Sequence, residues 1–318
     1  MSRAVCIFDR MEKRRFGRTG LWESVLGFGG APIGFLKTDR ERVSKILSTL
    51  LDNGVNLIDT AASYPGSEEM IAETIGSRRD QYVLVSKCGQ KVPGVEGTDW
   101  SEKLILDSVD RSLRNLKTDR LDVMLLHSCG LEVLERGEAI GALVKARDAG
   151  KVRFPGYSGD NEAVAYAATR SEIAVVETSI SIADQANIEK LLPIAQQNDV
   201  GVIAKRPIAN AAWKDPSNQP GMYKSYSQPY TDRLEKMGLQ PTDVGYAAAD
   251  SHAWPEMALR FTLSFPQVSC AIIGTTNPDN VRANLQYAAK GALRPDAVAK
   301  IRAAFKHADP TGAWPGLT

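Results

Sequence analysis

Asp59, Tyr64, Lys87 and His127 are of the types that can protonate an oxygen while the carbon bearing it gains a hydride. Three of them close apolar runs: Asp59 in NLIDT, Lys87 in YVLVSK and His127 in VMLLH. Tyr64 follows in the loop after Asp59. Hydride addition to a carbonyl leaves an alkoxide that needs a proton at once. A tyrosine can give it if its ordinary pKa of about 10 is brought toward neutrality. The ammonium of Lys87 acts in that direction, because it favours the phenolate. The carboxylate of Asp59 compensates that ammonium and fixes its position. An imidazole such as His127 can donate a hydrogen bond to the carbonyl oxygen, orienting and polarising it.

Taken singly, each residue has an ordinary explanation. A strand-terminal Asp caps the next helix, a terminal Lys is solvated, and a His after apolar residues is a core residue. A Tyr beside Pro65 and Gly66 is a loop aromatic. Their convergence on one end of one sheet is what points to chemistry.

The elements that must position them alternate along the chain. Apolar runs predict strands at Val25–Gly29, Val55–Asp59, Tyr82–Lys87, Leu121–His127, Val152–Tyr157, Ile173–Glu177, Gly201–Ala204 and Ser269–Ile273. Helical period fills the gaps, as over Arg40–Asn53, Glu68–Ser77, Glu102–Leu116, Glu132–Ala149, Asn187–Asn198 and Pro255–Phe265. Ser67 and Ser101 are expected N-caps, and Gly150 an expected C-terminal stop. Eight strand–helix units predict an α/β fold, a closed (β/α)8 TIM barrel, whose strand C-termini form the rim on which sites are built. The glycine-rich LGFGGAPIG does not fit the G-x-G-x-x-G fingerprint of a Rossmann domain. A long Pro-, Gly- and Tyr-rich loop from Arg206 to about Ser251 follows strand seven and is expected to cover the site. A C-terminal tail carrying Trp314 follows the last helix, and Trp22, Trp213 and Trp254 are further candidates for pocket walls.

Composition narrows the classes. The 318 residues are 43% hydrophobic and 24% charged, ordinary for a globular chain. Lys+Arg 39 against Asp+Glu 38 gives no pull toward nucleic acid or an anionic membrane. Cys6, Cys88, Cys129 and Cys270 form no C-x-x-C pair, and the three histidines form no H-x-x-x-H pair. Reduced thiols, no protein-bound metal and a cytoplasmic location are therefore expected. No apolar run approaches the ~20 residues that span a bilayer. Residues 1–11 read as an N-terminal extension, and residues 12–318 as a single domain.

On these residues the chain resembles the aldo-keto reductase superfamily, from about Lys13 to Leu285. The resemblance is carried by RRFGRTGL, GVNLIDTAASY, VLVSK, RSLRNLKTDRLDVMLLH, GKVRFPGYS and IIGTTNPDNVRANL, in this order and spacing. It implies Tyr64 as proton donor, tuned by Lys87 and Asp59, with His127 orienting the carbonyl. It also implies NADP(H) or NAD(H) extended over the barrel rim, with NADP(H) favoured on family prevalence. Gly29, Gly30 and Asp59 would face that cofactor. Ser158 and Glu177 would hold the carboxamide, and Lys205 and Arg206 would flank the nicotinamide and pyrophosphate. Gly274, Thr275, Asn280 and Asn284 would hold the adenosine end.

The chain departs from the family pattern at several of these positions. Gly159 stands where Asn is common, Glu177 where Gln is common, and Lys205 where an aromatic ring often stacks. Gly274 and Asn280 replace the Lys and Arg of many NADPH-preferring members, with Arg282 nearby. Cys88 and Cys129 lie close to the expected pocket as small packing residues. The implied function is an NAD(P)-dependent oxidoreductase acting on a small carbonyl compound, an alcohol or a sugar hemiacetal. The alternatives are a nicotinamide-binding regulatory subunit with little turnover, and an isomerase or aldolase using Lys87 as a Schiff base. No motif reports on oligomeric state.

Overall fold

Runs such as Val123–Leu126, apolar at every position and fully buried, cover both faces of a strand, which suits a parallel sheet enclosed by helices. The structure, a computed structural model, describes residues 11–221 and 223–317. The expected extension, apart from Met11, lies outside the described residues, as does Cys6.

Among the described residues, eight parallel strands close into a barrel. They are β1 (Leu26–Gly29), β2 (Leu57–Asp59), β3 (Val83–Cys88), β4 (Leu121–His127), β5 (Val152–Ser158), β6 (Val175–Ser179), β7 (Gly201–Lys205) and β8 (Cys270–Ile273). Each pairs with its sequence neighbour, and β8 also pairs with β1 to close the ring. Leu57, Val85, Val123, Leu125, Val175 and Ile203 fill the interior. Ile58, Leu84, Met124, Leu126 and Val176 face outward beneath the helices.

An antiparallel hairpin, Lys13–Arg15 with Trp22–Ser24, was not anticipated from the sequence. It stops the N-terminal end of the barrel by inserting Phe16, which is fully buried. Gly201 makes the space: a Cβ there would sit 2.5 Å from the Phe16 ring. Trp22, on this hairpin, is 60% exposed and far from the rim, so it is no pocket wall. Trp213 and Trp254 stack on each other at 5.6 Å. Trp314 packs against Phe305 and over the Arg233 guanidinium, so these aromatics hold covering segments in place.

Helix signals mostly hold. Ser101 caps Glu102–Leu116 by accepting from the Leu104 N–H. Gly150, at φ +75°, ends Glu138–Asp148 in a Schellman arrangement: its N–H bonds the Arg147 carbonyl, and that of Lys151 bonds Ala146. Ser67 is not a cap. Gly66 holds that position in the left-handed region, while Ser67 opens the helix and donates to the Gly30 carbonyl. The run expected over Glu132–Ala149 breaks at left-handed Gly137, and Asn187–Asn198 breaks at Leu191 just before Pro193. The loop after β7 is locally helical, with Tyr223–Met237 its main element.

At the barrel floor Glu23 is fully buried, and neither carboxylate oxygen has a hydrogen-bond partner. Burial, with Asp122 adding to it, pushes its pKa from 4.5 to about 8. A carboxyl raised in the fold takes up a proton on folding, so stability is fullest below pH 4.5 and falls as pH rises toward 8. The loss runs at up to about 1.4 kcal/mol per pH unit in that window. Glu23→Gln is therefore expected to be nearly neutral at pH 4 and stabilising at pH 9, by on the order of 1–4 kcal/mol. Thermal melts at both pH values check this; equal melting shifts at the two would refute it.

Candidate active site

Side chains on a strand alternate with period two, so each interior column continues to the rim two residues beyond its last apolar member. Leu57 leads to Asp59, Val85 to Lys87, Leu125 to His127, Val175 to Glu177 and Ile203 to Lys205. The barrel therefore delivers five ionisable groups to the top of one enclosed core. Their register agrees: Asp59 pairs with Val85, Lys87 with Leu125, His127 with Ser158, and Ser158 with Glu177.

Lys87 lies at the centre, with its side chain fully enclosed. Its Nζ donates to Asp59 Oδ1 and to the Thr60 carbonyl at 3.1 Å. It also stands 3.2 Å from Glu177 Oε2, an ion pair without hydrogen-bond alignment. Burial alone would lower the ammonium's pKa, but Asp59 and Glu177 outweigh it and hold Lys87 charged above its ordinary value. Above this cluster sits Tyr64, its ring centroid 5.5 Å from Lys87 Nζ. The His127 ring meets Tyr64 edge-on at 5.9 Å, and the Phe35 ring meets it at 5.4 Å. Ser63 Oγ lies 3.4 Å from His127 Nδ1. Burial, with the charges of Lys87, Lys205 and Arg206, pushes His127 down to about 3, so its imidazole is neutral at working pH.

One expectation is corrected. Tyr64 is not brought toward neutrality: burial raises its phenol above the ordinary value, and Asp59 and Glu177 add to the rise. Lys87 pulls the other way but is shared between two carboxylates. Asp59 is itself held well above the carboxylate range by burial and by the charge of Glu177. Glu177 thus adds to the effect of burial on both groups.

A cavity of about 370 Å³ runs from this cluster across the rim. Asp59, Tyr64, Glu177, Lys205 and Arg206 line it. Gly29, the register partner of Asp59, lines it as well, with Gly274, Thr275 and Asn280. The remaining expected residues lie off this lining. Lys87 lies under it, Ser158 stands behind Glu177 and donates to its Oε1 at 3.3 Å, and Asn284 is buried on the helix Pro278–Ala289. Gly30 serves the backbone: its N–H donates to the Asp59 carbonyl at 2.7 Å, and a Cβ would meet that oxygen at 2.8 Å. Gly274 is needed because a Cβ would come within 2.6 Å of the Gly29 carbonyl. Gly159 leaves room for Tyr157, whose hydroxyl would be 2.4 Å from any Cβ placed there. An Asn at 159 has no place in this packing. Arg282 pairs with Asp279 at the surface and does not line the cavity.

Several residues escaped the sequence reading. Asp160 is the partner that makes Lys205 tolerable at the rim, 3.0 Å away, and it also accepts from Thr178, Asn187 and the Ser179 N–H. The chain after β7 turns left-handed at Arg206 and again at Ala209, Asn210 and Ala211. Such residues each cost about 1 kcal/mol or more, and the strain persists where surrounding structure fixes it. Here it sets Asn210 on the cavity wall, its buried Nδ2 without a partner. Only the positive φ values reveal this; the sequence KRPIANAAW has no glycine to signal it.

The barrel rim thus combines a buried Lys–Asp pair, a tyrosine and a neutral histidine beside a cavity. The model of the Aldo/keto reductase family matches residues 25–306. The chain belongs to that family of oxidoreductases, which use nicotinamide cofactors. It is 27% identical to the uncharacterized oxidoreductase YqkF of Bacillus subtilis (strain 168), over 87% of this chain and 91% of the relative. It is 26% identical to L-galactose dehydrogenase of Arabidopsis thaliana, over 87% and 88%. The holo form of aldo-keto reductase AKR11C1 from Bacillus halodurans superposes with a TM-score of 0.77 at 26% identity, covering 93% of this chain and 97% of that one.

Proposed function

We propose that this chain transfers hydride between a nicotinamide cofactor and a carbonyl or alcohol carbon, or a sugar hemiacetal, with Tyr64 as general acid/base. The observation that carries the reading is the enclosed Asp59–Lys87 pair directly beneath Tyr64, with neutral His127 beside it. The bound nicotinamide supplies the hydride. Tyr64, held as a phenol, gives its proton to the developing alkoxide, and His127 orients the substrate oxygen. Lys87 holds the cluster together, and Phe35 restricts solvent on the outer side of Tyr64.

The groove fits a dinucleotide. Gly29 and Gly274 keep its floor flat, and Asn210 Nδ2 is an unused buried donor on its wall. NADP(H) is proposed ahead of NAD(H). Arg42 and Lys45 supply cations to a cleft shared with Thr276, next to the adenosine end, although Asp39, Glu41 and Asp279 oppose them there. Removing both cations as Arg42→Ala/Lys45→Ala should weaken NADPH roughly fivefold and NADH less than twofold. Unchanged NADPH affinity on titration rules these residues out as the discriminators. No helix among the described residues is long and apolar enough to cross a membrane. We place the protein in the cytoplasm, acting as one domain over residues 12–318.

Fluorescence titration with NADH and NADPH, followed by turnover over aldehydes and aldoses in both directions, tests the reading. Binding with turnover supports it. Tight binding with near-zero turnover transfers the assignment to a cofactor-binding subunit.

A further inference from the structure

Pro315, Gly316 and Leu317, beyond the last helix, are held against the barrel rim by their backbone. Arg233 donates to the Pro315 carbonyl at 2.7 Å. Asn161 brackets Gly316, donating to its carbonyl at 3.0 Å and accepting from its N–H at 2.7 Å. Asp184 accepts from the Leu317 N–H at 2.9 Å, and Ser179 donates to the Leu317 carbonyl at 2.8 Å. Only glycine fits at 316, because a Cβ would come within 2.9 Å of the Asp160 side chain. Further back, Asp309 accepts from the N–H groups of Ala313 and Trp314. Segments beyond the last element are loosely held unless tied down, and this one is tied at every residue.

The Leu317 carbonyl also accepts from Nη1 of Arg206, a residue of the cavity lining. The same nitrogen donates to Ser179 Oγ at 3.1 Å and to the Tyr230 hydroxyl at 3.4 Å. The guanidinium lies over the Tyr226 ring, 4.6 Å from its centroid. Tyr226 and Tyr230 both belong to the helix Tyr223–Met237, and Tyr226 lines the cavity. Among the described residues Nε and Nη2 of Arg206 have no partner. The Arg206 backbone is left-handed, at φ +56°, a conformation that persists only where surrounding contacts fix it. We propose that the segment Pro315–Leu317 is a positioning element of the cavity. Docked, it pins Nη1 of Arg206, which leaves Nε and Nη2 for a phosphate of the ligand and holds the helix Tyr223–Met237 against the groove. The ligand in this inference rests on the proposed function; the coupling of tail, Arg206 and helix does not.

Deleting residues 315–318 keeps Trp314 and its packing, and is expected to weaken NADPH about tenfold on calorimetric titration. Asn161→Gly suits the left-handed backbone at that position (φ +61°), removes both bonds to Gly316 and should weaken NADPH in the same direction, by about threefold. A double-mutant cycle separates positioning from bulk stability. In an Arg206→Met background the deletion should cost less than about twofold, because the group it positions is already gone. Hydrogen exchange of the ligand-free chain supplies a readout without cofactor: protection should fall in Tyr223–Met237 and hold in the barrel strands. Unchanged NADPH affinity in both tail variants, an equal loss with and without Arg206, or exchange that rises throughout the barrel overturns the inference and leaves the oxidoreductase reading standing. Failure of the unaltered chain to bind NADPH or NADH sinks that reading and the phosphate contact, while exchange confined to Tyr223–Met237 still upholds the coupling.

Discussion

Tyr64→Phe is expected to lower kcat by about 10²–10⁴-fold while leaving cofactor Kd within about twofold. The change removes one hydroxyl and little else. The ring that packs edge-on against Phe35 at 5.4 Å and His127 at 5.9 Å is retained, so the fold and groove should be unaffected. The pH dependence follows from the same site. Burial holds the Tyr64 phenol protonated beyond its ordinary range, and His127 stays neutral down to about pH 3. Carbonyl reduction by the unaltered chain should therefore show no ionisation of either residue between about pH 5 and 9. Undiminished turnover in Tyr64→Phe would remove Tyr64 as the acid.

The second large effect is on the cluster beneath. Lys87→Met is expected to abolish turnover and to cost roughly 3–5 kcal/mol of stability, because Asp59 and Glu177 are left buried with no cation between them. The sign with pH is fixed by the direction of the shift. Lys87 is raised in the fold, so its contribution is fully present below its unfolded pKa of about 10.5 and fades only as pH rises through the higher folded value. In the variant Asp59, already held above the carboxylate range by burial, carries a penalty that grows as it ionises. The melting temperature should thus fall further below that of the unaltered chain at pH 8 than at pH 5. A variant that melts within a degree of the parent at pH 8 shows the cluster to be dispensable for folding.

These two expectations differ in how far the sequence foresaw them. Tyr64 and Lys87 were both nominated by residue type and position, and the interior columns explain why. An apolar residue two places before an ionisable one, as in Leu57–Asp59 or Val85–Lys87, shares its side of the strand. Once a run is recognised as a barrel strand, the rim residue is known. Gly150 and Ser101 were legible for a similar reason: capping depends on a few consecutive residues, and those are adjacent in the chain.

What the sequence could not supply was pairing between distant segments. Glu177 was seen only as a departure from a common Gln. That it sits against Lys87, and adds to the rise that burial and Asp59 impose on Tyr64, depends on the closure of eight strands into one ring. Lys205 looked like a misplaced ring until Asp160, 45 positions earlier in the chain, was found 3.0 Å away. The place of Phe16 in the barrel floor was missed because Gly201, which makes room for its ring, lies nearly two hundred residues on. Residue type and strand period, both local properties, determined that Asp59, Tyr64, Lys87 and His127 meet at one rim. The protonation and charge balance there were decided by the tertiary structure, because burial and Coulomb interactions depend on distances that only the closed barrel sets.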